Sequence, residues 1–562
     1  MAENHGAATE RTALLQPDSD PVDGPIAAPN DDDGAVGRDG ISAESISRLR
    51  GLSIFIVIGL LIFLMSSNIS LMTTTQGFIA EDLDAFKSTS WFTSAYLIAV
   101  SSLTPLGGRI CKITSPRAYI SFSTIVFSVG AIVTASAESL AVFLTGRVIT
   151  GLGSAGVYSV AMILVLQLSS AKRRGLFIGL LNSGFTVGVS LGAIIAGAVV
   201  KPLGWRIIFW VQAPLACVCG LGIFFASSTL PVASPEGGRK EPLREQLAKI
   251  DYLGASFWVC TIVLFLYGMS GSKILPIPII ISLGTFAVFV MVEARFAVEP
   301  VIPVVILRSK GTFFSCMAQV SLMIARWAIL FYTPVYTIAV RSWTQAEAGL
   351  ILLPTNLGFG IGGLIVGALH IRHTGSFYIS CVVSFALFAL TLLAVAQIST
   401  QESSAVVYMI GLFVNGLVTG AILNYTMAHL LYLTSTDTHT IVTPLLATFR
   451  GFAGSFGSAI GGGIFTRTLK GALERGFADS GLKNRDDLIR RLLGSPALAA
   501  SLKDADRNVA VHAFEYSLKM LFTAGAILAV VATILQAGTG WKGPGHKRED
   551  PERSQEEHHR VS

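Results

Sequence analysis

Charge is what this chain has least of. Asp, Glu, Lys and Arg make up 14% of its 562 residues, while hydrophobic residues make up 52%. Soluble domains carry roughly 25% charged residues, and the mean hydropathy here is +0.64. So little polar material cannot coat the several soluble globules that the length alone suggests. Cysteine is scarce too, at six in the chain, which excludes a secreted disulfide scaffold. Cys217, Cys219, Cys260, Cys316 and Cys381 lie in apolar runs and read as reduced, lipid-buried thiols. The nine His show no HxxxH or HExxH spacing on one helix face. No convergent nucleophile or acid/base pair is visible either, so an enzyme is excluded and neither metal nor cofactor is expected. The pI is near 9.0, yet no basic cluster with interleaved aromatics occurs, which argues against nucleic acid as a partner. What remains is an all-α polytopic membrane protein with the lipid bilayer as its solvent.

What charge there is lies unevenly. Residues 1–50 hold ten Asp/Glu and four Arg in a Pro-, Gly- and Asp-rich stretch with no apolar period, the composition of a disordered cytosolic tail. No short apolar run precedes residue 51, so no secretory signal is read and the first span acts as an uncleaved anchor. Runs long enough to cross a bilayer then recur fourteen times, at 52–72, 92–110, 118–137, 141–166, 176–199, 207–228, 253–271, 276–294, 312–334, 346–369, 377–397, 405–430, 441–465 and 516–536. With the N-terminus in the cytosol, inner loops hold fourteen Lys/Arg and the short outer loops five, which favours both termini inside. The loop at 466–515 disagrees, with nine Lys/Arg on the outer side. Its stretch LKNRDDLIRRLLGSPALAASL has the pattern of an amphipathic surface helix.

Three glycine patterns stand out. The fourth run contains GRVITGLGSAG with Arg147. The fifth carries Gly184, Gly188, Gly192 and Gly197 about one turn apart. The thirteenth contains FRGFAGSFGSAIGGG with Arg450. A helix face almost without side chains lets a neighbour approach or slide. No Asp or Glu lies deep in any run, whereas Arg147, Arg326 and Arg450 do. Insertion scales put the cost of burying such a charge at about 2.5–3.5 kcal/mol, so these residues usually face a cavity. Arg147 reads equally well as a side chain bonded to backbone carbonyls. A cationic, carboxylate-poor cavity favours neutral or anionic substrates over cations. His429, and His370 at an inner end, are the titratable candidates for carrying a proton. Asn68, Asn182, Asn356 and Asn424 are amides suited to lining a pathway or to cross-linking helices. The sequons at Asn68 and Asn424 fall inside helices and are discounted.

In order and spacing, several segments resemble the major facilitator superfamily, and within it the fungal fourteen-helix drug:H⁺ antiporter family. They are WFTSAYLIAVSSLTPLGGRI, GRVITGLGSAG, RRGLFIGLLNSGFTVGVSLGAIIAG, GWRIIFWVQAPL, KIDYLGASFW and EARFAVEPVIPVVILRSKGTF. The resemblance spans about residues 52–536. It implies a major facilitator fold: a six-helix bundle at 51–229, a cytosolic linker and two inserted helices at 230–296, and a second six-helix bundle at 297–540. Cytosolic tails at 1–50 and 541–562 flank them. It also implies alternating access around a central site, with a small-molecule substrate and protons as partners. The inner-loop motif falls on Gly108, Arg109, Lys112 and Arg117. Here Lys112 stands where the family usually has Asp, and Ser115 where it usually has Gly. Ala193 replaces the Pro of the antiporter signature, and Asn68 stands where many relatives have Asp. The sequence thus does not show which carboxylate couples transport to protons. A matching short basic loop, GALHIRHTGS, follows the tenth run.

The expected activity is movement of a drug, toxin or secondary metabolite out of the cytosol. The alternative in the same family is uptake of basic amino acids into a vacuole; a non-transporting receptor is more distant. Glu10, Leu14 and Leu15, in ERTALL, match an acidic di-leucine signal that a sorting adaptor reads, so vacuolar and plasma membranes are both candidates.

Overall fold

The computed structural model describes residues 48–168, 174–226, 251–271, 273–296, 309–371, 377–434, 438–482 and 484–540. Among them there is no strand. The helices are α1 (Arg48–Asp82), α2 (Thr89–Thr114), α3 (Pro116–Ala135), α4 (Leu140–Leu168), α5 (Arg174–Leu203) and α6 (Arg206–Ala226), then α7 (Tyr252–Ser270) and α8 (Pro276–Arg295). There follow α9 (Lys310–Ala339), α10 (Gln345–Leu350), α11 (Leu352–Ile365), α12 (Tyr378–Ile398), α13 (Ala405–Leu433), α14 (His439–Asp479), α15 (Asp486–Gly494), α16 (Leu498–Ser501) and α17 (Asp504–Ala537). A π turn, Val366–His370, continues α11. A lipid-spanning chain must satisfy its backbone polar groups within each segment, which helices do.

Twelve spans among the described residues are long and apolar enough to cross a membrane, against the fourteen expected. The two not among these twelve, α2 and α14, run for 26 and 41 residues, ample for a crossing of about 20. They are rich in Ser, Thr and Gly instead of Leu and Ile. The reason is their position: α2 packs on α4, α7 and α14, and α14 packs on α2, α7, α9 and α17. A helix with protein on most sides does not need a lipid-matching surface. The lipid-facing helices do: Ile277 and Ile280 of α8, Leu364 of α11 and Ile534 of α17 are all exposed. The protein is a multi-pass integral membrane protein.

Helices α1–α6 pack on one another around Ile62, Val160 and Ile223 and around Phe143, Trp205 and Phe209. Helices α9, α12, α13, α14 and α17 share a larger core with Leu322, Phe385, Phe388 and Phe522 at its centre. Helices α7 and α8 lie against the α2–α14 edge, where Trp258 meets Phe452 at a ring distance of 5.0 Å. Arg467 of α14 donates to the Met269 and Gly271 carbonyls at 3.0 and 2.9 Å, fixing the end of α7.

Two faces of the bundle can be told apart. The near face carries the start of α1, the α2–α3 turn and the end of α17. The far face carries the end of α1, where Arg206 pairs with Asp82 at 2.6 Å. The amphipathic segment expected near 482–502 forms α15 and α16 on this far face. Ile489 and Leu492 are buried, and Gly494 sits on Phe86 in the turn between α1 and α2. Its apolar side is therefore covered by protein.

All six cysteines are free thiols. Cys217 is half-buried and Cys260 exposed on the bundle surface, both within the membrane-crossing helices α6 and α7. Ser115, in the α2–α3 turn, has φ +148°, in a region that side chains other than glycine rarely enter. This is where the family pattern has glycine. The Ser115 hydroxyl accepts from the Ala118 amide at 3.3 Å and starts α3.

Candidate functional site

Two buried arginines with the same local context have opposite surroundings. Arg147 of α4 is fully buried. Its Nε donates to the Phe92 carbonyl at 3.0 Å, and its terminal nitrogens donate to Asn68 Oδ1 at 2.7 Å and to the Asn68 carbonyl at 3.0 Å. Asn68 in turn donates to Gln212 Oε1 at 2.6 Å. The Tyr96 ring lies 4.6 Å from the guanidinium, and the Tyr96 hydroxyl bonds the Met65 carbonyl and Ser154. One charge thus joins α1, α2, α4 and α6, and backbone carbonyls supply much of the compensation for its desolvation.

Arg326 of α9 is also deeply buried, at 5% exposure, but among the described residues its hydrogen-bond partners are side chains. It donates to Thr355 Oγ1 and to Asn356 Oδ1, both at 3.1 Å, and stands 4.8 Å from the Phe359 ring centre. Asn356 Nδ2 donates to Ser190 Oγ of α5 at 2.6 Å. Each of these residues is near the middle of its helix. The chain Arg326–Asn356–Ser190 therefore links the second helix group to the first at mid-depth. Beside it, Phe185 of α5 meets Trp327 of α9 edge-on at 6.4 Å, and Trp327 stacks on Phe331 at 5.3 Å. No Asp or Glu among the described residues pairs with Arg147 or Arg326.

The glycine faces show how the two groups meet. At the far face a Cβ on Gly197 would strike the Gln345 carbonyl, and one on Gly349 would stand 2.6 Å from the Ile194 nitrogen. Gly188 and Gly192 are held as tightly against Ser66, Ser67 and Ser70 of α1. At Gly184 of α5, Gly360 of α11 and Gly451 of α14 an added Cβ would meet no atom within 4 Å. Helices α2 and α14 are joined by the hydroxyl pairs Ser94–Ser458 at 2.9 Å and Ser101–Ser455 at 3.1 Å. The groups are thus in close contact at the far face.

The other expected residues fall as follows. Arg450 is half-buried on α14, one turn before Gly454, where an added Cβ would stand 3.4 Å from the Trp327 ring. Asn424 donates to the Gly363 and Gly420 carbonyls and clamps α13 to α11, the cross-linking role. His429 is buried between Tyr378 and Thr539, with Nε2 3.2 Å from the Thr539 hydroxyl. It belongs to the α12–α13–α17 packing and is not brought to the Arg326 node. His370 bonds the Tyr425 hydroxyl at 2.8 Å. Gly108 faces open space, and the Arg117 guanidinium lies 3.8 Å from the Phe224 ring. The side chains of Arg109, Lys112 and Asn182, and the Glu10, Leu14 and Leu15 segment, lie outside the described residues. Thr355, Ser190, Trp327 and Phe359 were not singled out by sequence. Ser190 and Thr355 are single hydroxyls in apolar runs, which is a weak signal because most such hydroxyls cap their own helix.

This geometry defines the class: an α-helical carrier with two helix groups meeting around a polar node at mid-membrane. The major facilitator superfamily profile matches residues 56–462, and the chain belongs to that family. It is a membrane transporter of this type. It is 24% identical over 515 residues to the MFS-type transporter clz4 of Cochliobolus lunatus, covering 90% of this chain and 88% of that one. It is 26% identical to the efflux pump dotC of Dothistroma septosporum, covering 62% of this chain and 59% of the pump. It is 24% identical to the vacuolar basic amino acid transporter 1 of Saccharomyces cerevisiae, covering 54% of each. The last two matches span little more than half of those relatives. Among solved structures, a bacterial homolog of the human lysosomal transporter Spinster, in an inward-facing and unoccupied conformation, superposes with a TM-score of 0.61 at 13% identity, covering 88% of this chain and 99% of that one. That likeness concerns the fold.

Proposed function

We propose that the protein is a secondary active transporter that carries small organic solutes out of the cytosol by alternating access, in exchange for protons. The observation that carries this reading is the Arg326–Asn356–Ser190 chain, which joins the two helix groups at mid-depth, with the close contacts of Gly197 and Gly349 on the far-face side. A solute bound there sits between the two groups, the arrangement that alternating access requires. The efflux-pump relative supports export and an amphiphilic drug, toxin or metabolite as cargo. The Lys/Arg asymmetry supports a cytosolic near face with both termini on it. Proton exchange is supported by the resemblance to drug:H⁺ antiporters.

The membrane is vacuolar or plasma, and the Glu10–Leu15 segment is the feature through which a sorting adaptor would choose between them. The vacuolar basic amino acid transporter relative favours a second reading, uptake of basic amino acids into the vacuole. An uncompensated guanidinium at mid-depth opposes it, because like charges repel strongly where water is scarce. The test is solute flux in vesicles containing the purified protein, with and without an imposed pH gradient. Acceleration by the gradient is expected. Flux indifferent to it would end the antiport reading, and uptake of Lys or Arg in preference to uncharged amphiphiles would favour the second.

A further inference from the structure

We propose that Arg326 is the recognition group for an anionic substituent, a carboxylate or sulfonate, on an aromatic solute whose ring rests against Phe185, Trp327 and Phe331. This rests on the transporter reading and narrows its substrate class.

The argument starts from what satisfies each buried guanidinium. Arg147 is saturated by two backbone carbonyls and an amide oxygen inside one helix group. Among the described residues Arg326 is held by a hydroxyl and an amide oxygen, neutral groups that bind a guanidinium less strongly than an anion does. Both holders are side chains, so both are displaceable by rotation. A planar anion presented to the terminal nitrogens takes the two N–H positions that Thr355 and Asn356 occupy, in the bidentate geometry that suits guanidinium. No carboxylate among the described residues competes for it.

The surroundings select the rest of the molecule. Phe359 lies under the guanidinium at 4.8 Å, and the Phe185–Trp327–Phe331 wall spans both helix groups. Such edge-on and stacked rings accept a further ring. At Gly360, one turn from Asn356 on the same helix, an added Cβ would meet no atom within 4 Å, so there is room beside the node.

Binding at this point also reaches the other helix group. Asn356 uses its oxygen for Arg326 and its nitrogen for Ser190. An anion that takes over Arg326 frees the Asn356 oxygen and lets the amide turn away from Ser190. Substrate binding thereby removes the mid-depth bond between the groups, and only the anion does so.

The experiment compares naphthalene-2-carboxylate with its uncharged amide, in vesicles containing the full chain and by quenching of tryptophan fluorescence in detergent. The wild type is expected to bind and carry the carboxylate in preference to the amide. Arg326→Gln is expected to lower carboxylate flux about tenfold or more beyond any change in amide flux, as a charge-assisted hydrogen bond is lost. Asn356→Asp places a carboxylate on Arg326 without removing its partner, and is expected to abolish the preference while the protein keeps its melting temperature. Equal carriage of carboxylate and amide by the wild type, or an unchanged ratio in both variants, overturns the proposal. Preferential binding of the carboxylate with no flux of any solute instead overturns the transporter reading and leaves the anion site standing.

Discussion

Arg490 of α15 donates to the Asp84 carboxylate at 2.6 Å across 406 positions of sequence, tying the segment before the last helix to the turn after the first. Both side chains are solvent-exposed in part, and an exposed pair is worth about 0–1 kcal/mol. Its interest is its position. With Gly494 on Phe86 and Gly77 facing Ser495, it straps the second helix group onto the first at the sealed face.

The strap gives a direct test of alternating access. A Cβ on Gly77 would stand 3.5 Å from the Ser495 Cβ, within the span that a disulfide bridges. The double variant Gly77→Cys with Ser495→Cys is expected to cross-link under mild oxidation and to stop transport, and reduction is expected to restore it. Transport that persists in the fully cross-linked protein, shown by its shifted mobility on a non-reducing gel, would mean that this face never opens.

Arg147 and Arg326 are expected to fail differently when replaced. Arg147→Gln leaves buried acceptors of three interactions unserved. Each such loss costs about 1–3 kcal/mol, so the variant is expected to melt several degrees lower and to express poorly. Arg147→Lys is expected to rescue little, because an ammonium lacks the planar fork. Arg326→Gln leaves fewer acceptors unserved and is expected to melt less far below the wild type than Arg147→Gln, while shifting substrate preference toward uncharged solutes. Thermal denaturation of both variants in one detergent decides the point.

Ser115→Gly is expected to stabilise the protein. A side chain at φ +148° holds strain of about 1–3 kcal/mol that glycine does not, although the hydroxyl cap on Ala118 is lost. A net rise in melting temperature with unchanged flux is the outcome. A fall would mean that the cap outweighs the strain.

Gly349→Leu tests the close approach of α10 to α5. The new side chain would meet the backbone at Ala193 and Ile194, and overpacking of about 1–3 kcal/mol acts on the closed far face alone. Flux is expected to fall about tenfold, with cysteines introduced near the far face becoming more reactive to a water-soluble maleimide. Wild-type flux would show that this contact is not part of the cycle.

The residues show where the sequence was sufficient. A run of apolar residues needs lipid wherever it lies, so twelve of the expected spans coincide with helices long and apolar enough to cross. Helices α2 and α14, outside those twelve, are enclosed by protein on several sides. The inner-loop glycine position was readable too, and the backbone at Ser115 shows why glycine is usual there.

What the residues alone left open was which polar groups meet. Arg147 and Arg326 look alike as single cations in apolar runs. Arg147 finds Asn68 across 79 positions. Arg326 reaches Asn356 over 30, and Asn356 reaches Ser190 over 166. His429, equally eligible by sequence, is turned to Thr539 instead. Helix existence depends on neighbours along the chain, and sequence determined it. The partner of a buried charge depends on the rotation and tilt of helices far apart in sequence, and only the packed bundle decided that.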